Sequence, residues 1–329
     1  MDEKYTAAFM RQYLKMNHAD NQERVTKAMW EAMDSVFSEN DNQKSETSAS
    51  QKKSDPSVSA AIDNGNTSAA DDIDVVIIVA VPDEKVGVYT AFGLDSDTTT
   101  KKYDMMGDYR FDYVQFEADD LNIALLIQPN MGMTQAASMT TRAILALQPK
   151  LVAMVGVCAG CEGSAELGDI IIASNVYDYT AGKHYIDRFG PRPQSYPIDN
   201  KLSNYITGSV VGRQSLVGKI LDRNSSGRTD RQIKVLFKPI ASGTAVVNDP
   251  EIVADLISKQ DNLAGIDMEA YALAVSSTIL ETKWLVIKGV QDYANGDKEN
   301  TEKGYRGFAA YSSAKLLQLM LKEDLPRYF

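Results

Sequence analysis

Short β-branched runs alternate with amphipathic helical patterns from Ile73 to the end of the chain. Brief apolar runs rich in Val and Ile predict buried strands, and apolar residues spaced three or four positions apart predict helices. The strand-like segments are DVVIIVAV, LNIALLIQP, LVAMVGV, GDIIIAS, QIKVLFKPIAS and WLVIKGVQD. The helical segments are AASMTTRAILALQP, DPEIVADLISKQ and MEAYALAVSSTILE. This alternation predicts an α/β domain over residues 73–329, in which helices flank one sheet.

The first 72 residues have a different pattern. Residues 1–40 carry apolar side chains at helical spacing, among them Phe9, Tyr13 and Met16, which predicts a small module of two amphipathic helices. Residues 41–72 are rich in Ser, Asn, Asp and Lys and contain no aromatic residue, so they predict a disordered linker. We expect the helical module to hold subunits together or to bind a protein partner.

Composition and charge exclude several classes of partner. The net charge is -11 and no run of Lys and Arg is dense enough to bind a phosphate backbone, so we expect no nucleic-acid partner. The longest apolar runs are shorter than a bilayer span, and the opening MDEKYTAAF lacks the basic region of a secretory signal. We therefore expect a cytoplasmic protein without a membrane partner, whose ligand is a small molecule.

The two cysteines of the chain, Cys158 and Cys161, form a CAGC motif. A CxxC pair can carry redox chemistry or provide half of a zinc site. The chain has two histidines, His18 and His184, and no second cysteine pair, so we expect no metal. The small residues around Cys158 would also let a ligand approach the backbone closely. A CxxC redox protein stays open as an alternative.

Sequence motifs of several other enzyme classes are absent. The chain contains no GxxxxGK[ST] loop, and GVCAGCEG does not match the GxGxxG dinucleotide fingerprint. It also has no GxSxG elbow, and a Ser-His-Asp triad would have almost no histidine to use as its base. Any catalysis must therefore depend on carboxylates, and we expect no cofactor.

Three carboxylates occupy positions where α/β proteins build their sites. Glu84 follows the first predicted strand, Asp292 ends the last one, and Glu269 lies in GIDMEAYALA, where an apolar run begins. Asp267 can brace the end of a strand, whereas Glu269 would point into a pocket. Cleavage of a glycosidic bond requires such a set, because negative charge stabilises an oxocarbenium-like sugar and carboxyl groups can assist the leaving base and the water.

Five motifs in one consistent order resemble the nucleoside phosphorylase and nucleosidase superfamily. They are AVPDE, GVCAGCEGSAELGDIIIAS, SGTAVVND, GIDMEAYALA and VIKGVQDYAN, within about residues 73–325. The sequence is most similar to the methylthioadenosine/S-adenosylhomocysteine nucleosidase branch and to phosphorylase-type effectors of bacterial antiphage defence. The resemblance implies a three-layer α/β/α phosphorylase/hydrolase-like fold with a mixed sheet. It also implies an N-glycosidase that acts on purine nucleosides or nucleotides.

The resemblance assigns catalytic roles to the three carboxylates. It implies that Asp292 donates a proton to purine N7 and that Glu84 positions and activates the attacking water. Glu269 would hold the ribose hydroxyls, with Met268 packed on the sugar.

Further residues match positions that line the substrate in the resembling family. The turn that contains Cys158, Ala159 and Gly160 would line the sugar and the base. Val246 stands where many members place an aromatic residue over the base, and Gln291 replaces the usual serine beside the acid.

The nucleophile and the 5′ substituent separate the possible reactions. A phosphorylase would bind phosphate beside the sugar, but the matching turn offers Thr134 without a nearby arginine, and Lys288 replaces the family's arginine. We therefore expect water as the nucleophile.

Lys183 and Arg188 fall in a loop that approaches the ribose 5′ end in the resembling family, where cations suit phosphates. We expect a purine nucleotide, ATP first, to be cleaved to adenine and a sugar phosphate, as in a nucleotide-depleting defence effector.

Other functions stay open at this point. Two belong to the resembling superfamily: a phosphate-dependent purine nucleoside phosphorylase and a methylthioadenosine/S-adenosylhomocysteine nucleosidase. A third belongs to another class: a catalytically inactive module that senses nucleotides. The resemblance also implies a homo-oligomer, either a dimer or a hexamer.

Overall fold

The computed structural model describes residues 72–106, 109–221, 233–260, 262–296 and 298–329. The predicted helical module and all but the last residue of the predicted linker lie outside these ranges. The strands are β1 (Val75–Val79), β2 (Thr100–Met106), β3 (Tyr109–Ala118), β4 (Leu121–Ile127), β5 (Leu151–Gly160), β6 (Ile170–Asp178), β7 (Gly182–His184), β8 (Phe189–Pro191), β9 (Ser195–Pro197), β10 (Val235–Ser242), β11 (Gly265–Asp267) and β12 (Lys283–Asp292). The helices are α1 (Pro82–Phe92), α2 (Met133–Leu147), α3 (Asn200–Tyr205), α4 (Gln214–Leu221), α5 (Pro250–Lys259), α6 (Ala270–Ile279) and α7 (Lys298–Lys322).

A mixed sheet forms the centre of the described domain. Its strands follow the order β11-β10-β6-β12-β5-β1-β4-β3-β2, and β9 pairs with β6. Strands β12, β5, β1 and β4 are mutually parallel, whereas β4, β3 and β2 form an antiparallel meander. Strand β11 is parallel to β10 and antiparallel to β5, so β5, β11, β10, β6 and β12 close into a ring. The predicted mixed sheet is confirmed.

Helices cover the sheet in two layers. Helices α1 and α7 pack together, and α7 also contacts β12 and β5, whereas α2 and α6 form the other pair. Two glycines permit the close packing of α7. A Cβ atom on Gly87 of α1 would lie 2.7 Å from the Ala310 carbonyl carbon, and one on Gly289 of β12 would lie 2.3 Å from the Ala309 oxygen. This arrangement confirms the three-layer α/β/α prediction.

The apolar pattern of the central strands reflects burial on both faces. Every residue of β1 is buried, which explains why VVIIV does not alternate with polar residues. The helices and strands predicted from the segments above are all present. No helix among the described residues combines the length and the apolar composition that crossing a membrane requires.

Candidate active site

Four buried carboxylates line one cavity of about 310 Å³, which we call the carboxylate cavity. They are Asp267 and the three predicted catalytic residues, Glu84, Glu269 and Asp292. Each of the three catalytic candidates exposes 5% or less of its surface, and Asp267 exposes 7%. The three predicted catalytic side chains, which come from residues as far apart as 84 and 292, therefore come together in the structure.

Strand topology explains why these distant residues meet. Strands β1, β5 and β12 are parallel neighbours, so their carboxyl ends reach the same edge of the sheet. Glu84 follows β1 and Asp292 ends β12. Strand β11 crosses the end of β5 in the antiparallel direction, with Ile266 opposite Ala159, and this crossing brings Glu269 to the same edge.

The backbone of two segments holds Glu84 in place. Its Oε2 accepts hydrogen bonds from the N–H groups of Ala80 (2.7 Å) and Val81 (3.2 Å), and its Oε1 accepts one from Val157 (2.9 Å). These bonds fix the carboxylate at the start of α1, against the end of β5. Gly156 leaves the space that this requires, because a Cβ atom there would lie 2.0 Å from Oε1.

Glu269 precedes α6 and faces the turn before α2. Its Oε1 accepts a hydrogen bond of 2.7 Å from the N–H of Gly132, whose φ of 113° favours glycine. Burial raises the pKa of Glu269 to about 7, opposed by Lys288 and by the bond from Gly132 and assisted by Asp267 and Glu84. The carboxyl group is thus ready to change charge near neutral pH.

Lys288 lies beneath the cavity rather than among its lining residues. Its side chain is 1% exposed, and Nζ lies 3.2 Å from Asp267 Oδ2 and 4.0 Å from Glu269 Oε2. Burial lowers the pKa of Lys288, but the charges of Asp267, Glu84 and Glu269 outweigh this effect and raise the pKa above its ordinary value. Lys288 therefore neutralises the carboxylates from below.

Asp267 performs the bracing role predicted for it. Its Oδ1 accepts a hydrogen bond of 2.7 Å from the Ser242 hydroxyl, and Oδ2 accepts one of 3.0 Å from the N–H of Ala270. The carboxylate thus joins the end of β10 to the beginning of α6. It also positions Glu269, which lies between the strand and the helix.

A bulge at the end of β12 orients Asp292. Val290 pairs with Cys158 and Asp292 pairs with the next residue, Ala159, so Gln291 is the extra residue of the strand. Asp292 Oδ2 accepts a hydrogen bond of 3.0 Å from the Gln291 amide, and Oδ1 accepts one of 2.9 Å from the N–H of Ala294. Both Gln291 and Asp292 reach the cavity.

The structure brings part of the predicted substrate-binding set to the carboxylate cavity. The residues of that set that line it are Met268, Cys158, Ala159 and Val246. Gly160 packs instead against Val290, because a Cβ atom there would lie 2.6 Å from Val290 Cγ1. Thr134 is exposed in the first turn of α2 and is not among the lining residues.

The cations predicted to approach the 5′ end lie elsewhere. Lys183 belongs to β7, Arg188 precedes β8, and both side chains are exposed. The Lys183 Nζ and the Arg188 guanidinium carbon each lie 5.0 Å from the centre of the Tyr185 ring. Neither residue lines the carboxylate cavity. Both cations thus lie over the exposed ring of Tyr185 on the same hairpin.

The two cysteines are free and buried in different apolar clusters. Burial raises the pKa of Cys158 well above its ordinary value and that of Cys161 to about 12. A redox pair needs an accessible thiolate, which these surroundings disfavour. The geometry therefore gives the redox alternative no support.

Sequence reasoning missed one cation at the carboxylate cavity. Arg306 of α7 lines it, and its Nε donates a hydrogen bond of 2.7 Å to Asp83 Oδ2. The segment KGYRGFAAYSSAKLLQLML carries apolar residues at helical spacing, and this pattern could have predicted the helix that presents Arg306. Within the described ranges, no group of three or more His, Cys, Asp and Glu side chains could hold a metal ion.

Comparison with known families explains this arrangement. A sequence profile of the phosphorylase superfamily matches residues 74–323. The chain belongs to the phosphorylase superfamily. The matched residues contain the whole carboxylate cavity, so the cavity lies within the part that the phosphorylase superfamily shares.

Individual relatives differ in how much of their length they share with this phosphorylase-superfamily chain. An uncharacterized protein, y4jS of Sinorhizobium fredii, is 31% identical over 74% of the chain and 60% of its own length. The ATP nucleosidase Cap17 of Escherichia coli is 24% identical over 72% of the chain and 49% of its own length. The chain thus spans 60% and 49% of the length of these two relatives.

A solved structure supports the fold. The 5′-methylthioadenosine/S-adenosylhomocysteine nucleosidase of Neisseria meningitidis, in complex with methylthio-immucillin-A, superimposes with a TM-score of 0.56 at 20% identity. The superposition covers 76% of this chain and 98% of the nucleosidase. The described phosphorylase-superfamily domain therefore has the complete fold of that structure.

Proposed function

We propose that this chain hydrolyses the N-glycosidic bond of a purine nucleotide, with ATP as the first candidate, to give free adenine and a ribose phosphate. One observation carries the proposal: Glu84, Glu269 and Asp292 are buried together around one cavity of about 310 Å³. Burying three carboxylates is costly, so a fold that retains them needs a function for their charge.

The proposed reaction distributes three roles among the carboxylates. Asp292 transfers a proton to N7 of the base as the C1′–N9 bond breaks, and the bonding electrons leave with the base. Glu84 accepts a proton from water as the water oxygen bonds to C1′. Glu269 accepts hydrogen bonds from the ribose hydroxyls, and the negative charges stabilise the oxocarbenium-like sugar.

Two contacts favour water over phosphate as the nucleophile. A phosphorylase needs donors and positive charge for free phosphate beside the sugar. In this chain the Gly132 N–H donates to Glu269, and the Lys288 amino group is paired with Asp267 beneath the cavity. Glu269 and Asp267 thus engage the groups that would otherwise bind phosphate, which supports hydrolysis.

Similarity to the ATP nucleosidase of Escherichia coli supports a nucleotide as the substrate. Its name records the reaction that we propose here, and it shares 24% identity over 72% of this chain. Depletion of adenine nucleotides would then be the cellular consequence of activity. The nucleosidase of Neisseria meningitidis has the same fold, so a nucleoside with an uncharged 5′ group is the competing substrate.

The test is an assay of the purified full chain against ATP, dATP, GTP, adenosine and methylthioadenosine, each with and without inorganic phosphate. We expect free adenine and ribose 5′-triphosphate from ATP, at a rate that phosphate does not change. Faster cleavage of adenosine or methylthioadenosine would overturn the nucleotide assignment. Production of a sugar with a new phosphate at C1 would overturn hydrolysis, and binding without base release would indicate an inactive sensor.

A further inference from the structure

Arg306 is the cation that the structure brings to the carboxylate cavity. Of the described residues that line this cavity, Arg306 alone carries a positive charge. Its side chain is 30% exposed, whereas the three carboxylates are almost fully buried. Arg306 therefore lies at the rim, where the cavity meets solvent.

The packing of two helices fixes the position of Arg306. Gly87 of α1 and Ala310 of α7 are in close contact, because a Cβ atom on Gly87 would lie 2.7 Å from the Ala310 carbonyl carbon. Asp83 and Arg306 lie four residues earlier on the same two helices, which is about one turn. The Asp83 carboxylate accepts the Arg306 Nε–H at 2.7 Å. The pair therefore rests on a rigid contact between helices.

Stability alone gives this pair little reason to exist. The Asp83 side chain is 60% exposed, and an ion pair exposed to this extent contributes little to stability. Glu84, which follows Asp83, lines the same cavity and would repel a phosphate. A cation at the rim offsets this repulsion, and a guanidinium can present two parallel N–H donors to phosphate oxygens.

We propose that Arg306, positioned by Asp83, binds the 5′-phosphate oxygens of the substrate and so makes the chain prefer nucleotides to nucleosides. This inference rests on the proposed function and names the residue that selects its substrate class. Arg306 takes the role that the sequence predicted for Lys183 and Arg188, which lie over the Tyr185 ring and do not line the cavity. Lys288, which stands where the resembling family has an arginine for free phosphate, is buried with Asp267 and does not line the cavity.

The test compares kcat/KM for ATP and for adenosine in Arg306→Gln. We expect kcat/KM for ATP to fall by about 10- to 100-fold, mainly through KM, and that for adenosine to change by less than about threefold. Asp83→Asn should lower kcat/KM for ATP by a smaller factor and leave kcat/KM for adenosine unchanged, because it removes the positioning carboxylate and keeps the guanidinium. Arg213→Gln is the matched control, since Arg213 pairs with Glu323 away from the cavity lining.

Several outcomes would overturn the inference while leaving the glycosidase intact. These are an equal loss with both substrates, an unchanged preference for ATP, or a loss of ATP preference in Arg188→Gln instead. A rate with adenosine that rises with inorganic phosphate in the wild type but not in Arg306→Gln would assign free phosphate to Arg306. Failure of the proposed function looks different, because the wild type would then release no base from any substrate. In that case calorimetric titration with ATP still tests whether Arg306 binds the 5′-phosphates. The inference would be overturned if wild type and Arg306→Gln bound ATP with equal affinity, or if neither bound it.

Discussion

Two cavities of the described domain differ in size and in chemistry. The larger one, of about 590 Å³, lies between β6, the β7–β8 hairpin and α5, and we call it the hairpin cavity. The carboxylate cavity has about half that volume. Charged side chains at the hairpin cavity, such as Asp255 and Lys259, pair with each other and are about half exposed. The carboxylates at the carboxylate cavity are buried, and backbone N–H groups donate hydrogen bonds to them.

The difference shows that volume alone does not identify a site. A large apolar cavity can accept many occupants, whereas a small one with four buried carboxylates is suited to stabilising positive charge. The CAGC motif illustrates the contrast, because Cys158 lines the carboxylate cavity and Cys161 packs in the apolar cluster that contains Tyr177 and Leu256. Tyr177 and Leu256 in turn line the hairpin cavity.

The largest expected effect comes from a carboxylate of the carboxylate cavity, and a carboxylate of the hairpin cavity provides the control. Asp292→Asn removes the proposed proton donor, so we expect base release to slow by about 10²- to 10⁴-fold with the fold intact. Asp255→Asn alters the hairpin cavity in the same way and should change the rate by less than about twofold, since Asp255 is an exposed surface residue. Rates are measured by chromatography of free adenine. Comparable losses in both variants would erase the distinction between the cavities.

A smaller effect is expected when the carboxylate cavity is disturbed indirectly. Gly156→Ala places a Cβ atom 2.0 Å from Glu84 Oε1 and must displace that carboxylate. A shift of about 1 Å in such a group should lower kcat by about 10- to 100-fold. Gly218→Ala on α4 is the matched control, because nothing lies within 4 Å of its new Cβ atom. Wild-type kcat in Gly156→Ala would show that the position of Glu84 does not matter.

The pH dependence of stability sharpens the comparison further. The pKa of Glu269 is raised from 4.5 to about 7, so between these values the folded chain binds more protons than the unfolded chain. Stability from this group is therefore complete below pH 4.5 and is lost as pH rises through about 7. Relative to Glu269→Gln, the free energy of unfolding of the wild type should fall by about 3 kcal/mol over this range. Urea unfolding at a series of pH values measures it, and parallel curves for the two proteins would contradict the assignment.

The smallest effect is expected from Cys161, the cysteine of the CAGC motif that does not line the carboxylate cavity. Cys161→Ala should change the rate of base release by less than about threefold, because a buried protonated thiol is a poor nucleophile. The same assay with and without a reducing agent should give equal rates. A loss of activity in Cys161→Ala at unchanged melting temperature would revive the redox alternative.

The sequence predicted the residues whose position follows from strand order. Glu84 and Asp292 follow apolar strands, and parallel neighbours bring such residues to one edge. Glu269 followed from its place between a short strand and an apolar helix. Its partner Gly132 was not predicted, since that contact joins residues 137 positions apart and depends on tertiary packing.

Features that depend on packing were harder to predict. Small residues such as Gly307, Ala309 and Ser312 weaken the apolar spacing of α7, so the sequence indicates this helix less clearly than the others and does not indicate that Arg306 faces the cavity. Ser312 is fully buried, and its hydroxyl bonds to the Ala309 carbonyl within the helix. The cations Lys183 and Arg188 formed a local cluster in sequence, but the hairpin and Tyr185 determine where they point. Local charge therefore predicted a surface feature and not the lining of a cavity.

The central claim is that the carboxylate cavity cleaves a purine nucleotide with water as the nucleophile. Its most direct test is incubation of the full chain with ATP in ¹⁸O-labelled water, without inorganic phosphate, followed by mass spectrometry of both products. We predict unlabelled adenine and a ribose triphosphate that carries one ¹⁸O atom at C1, and neither product from Asp292→Asn on the same time scale. Release of phosphate with the adenine base still attached to ribose, or adenine production that persists in Asp292→Asn, would contradict the claim.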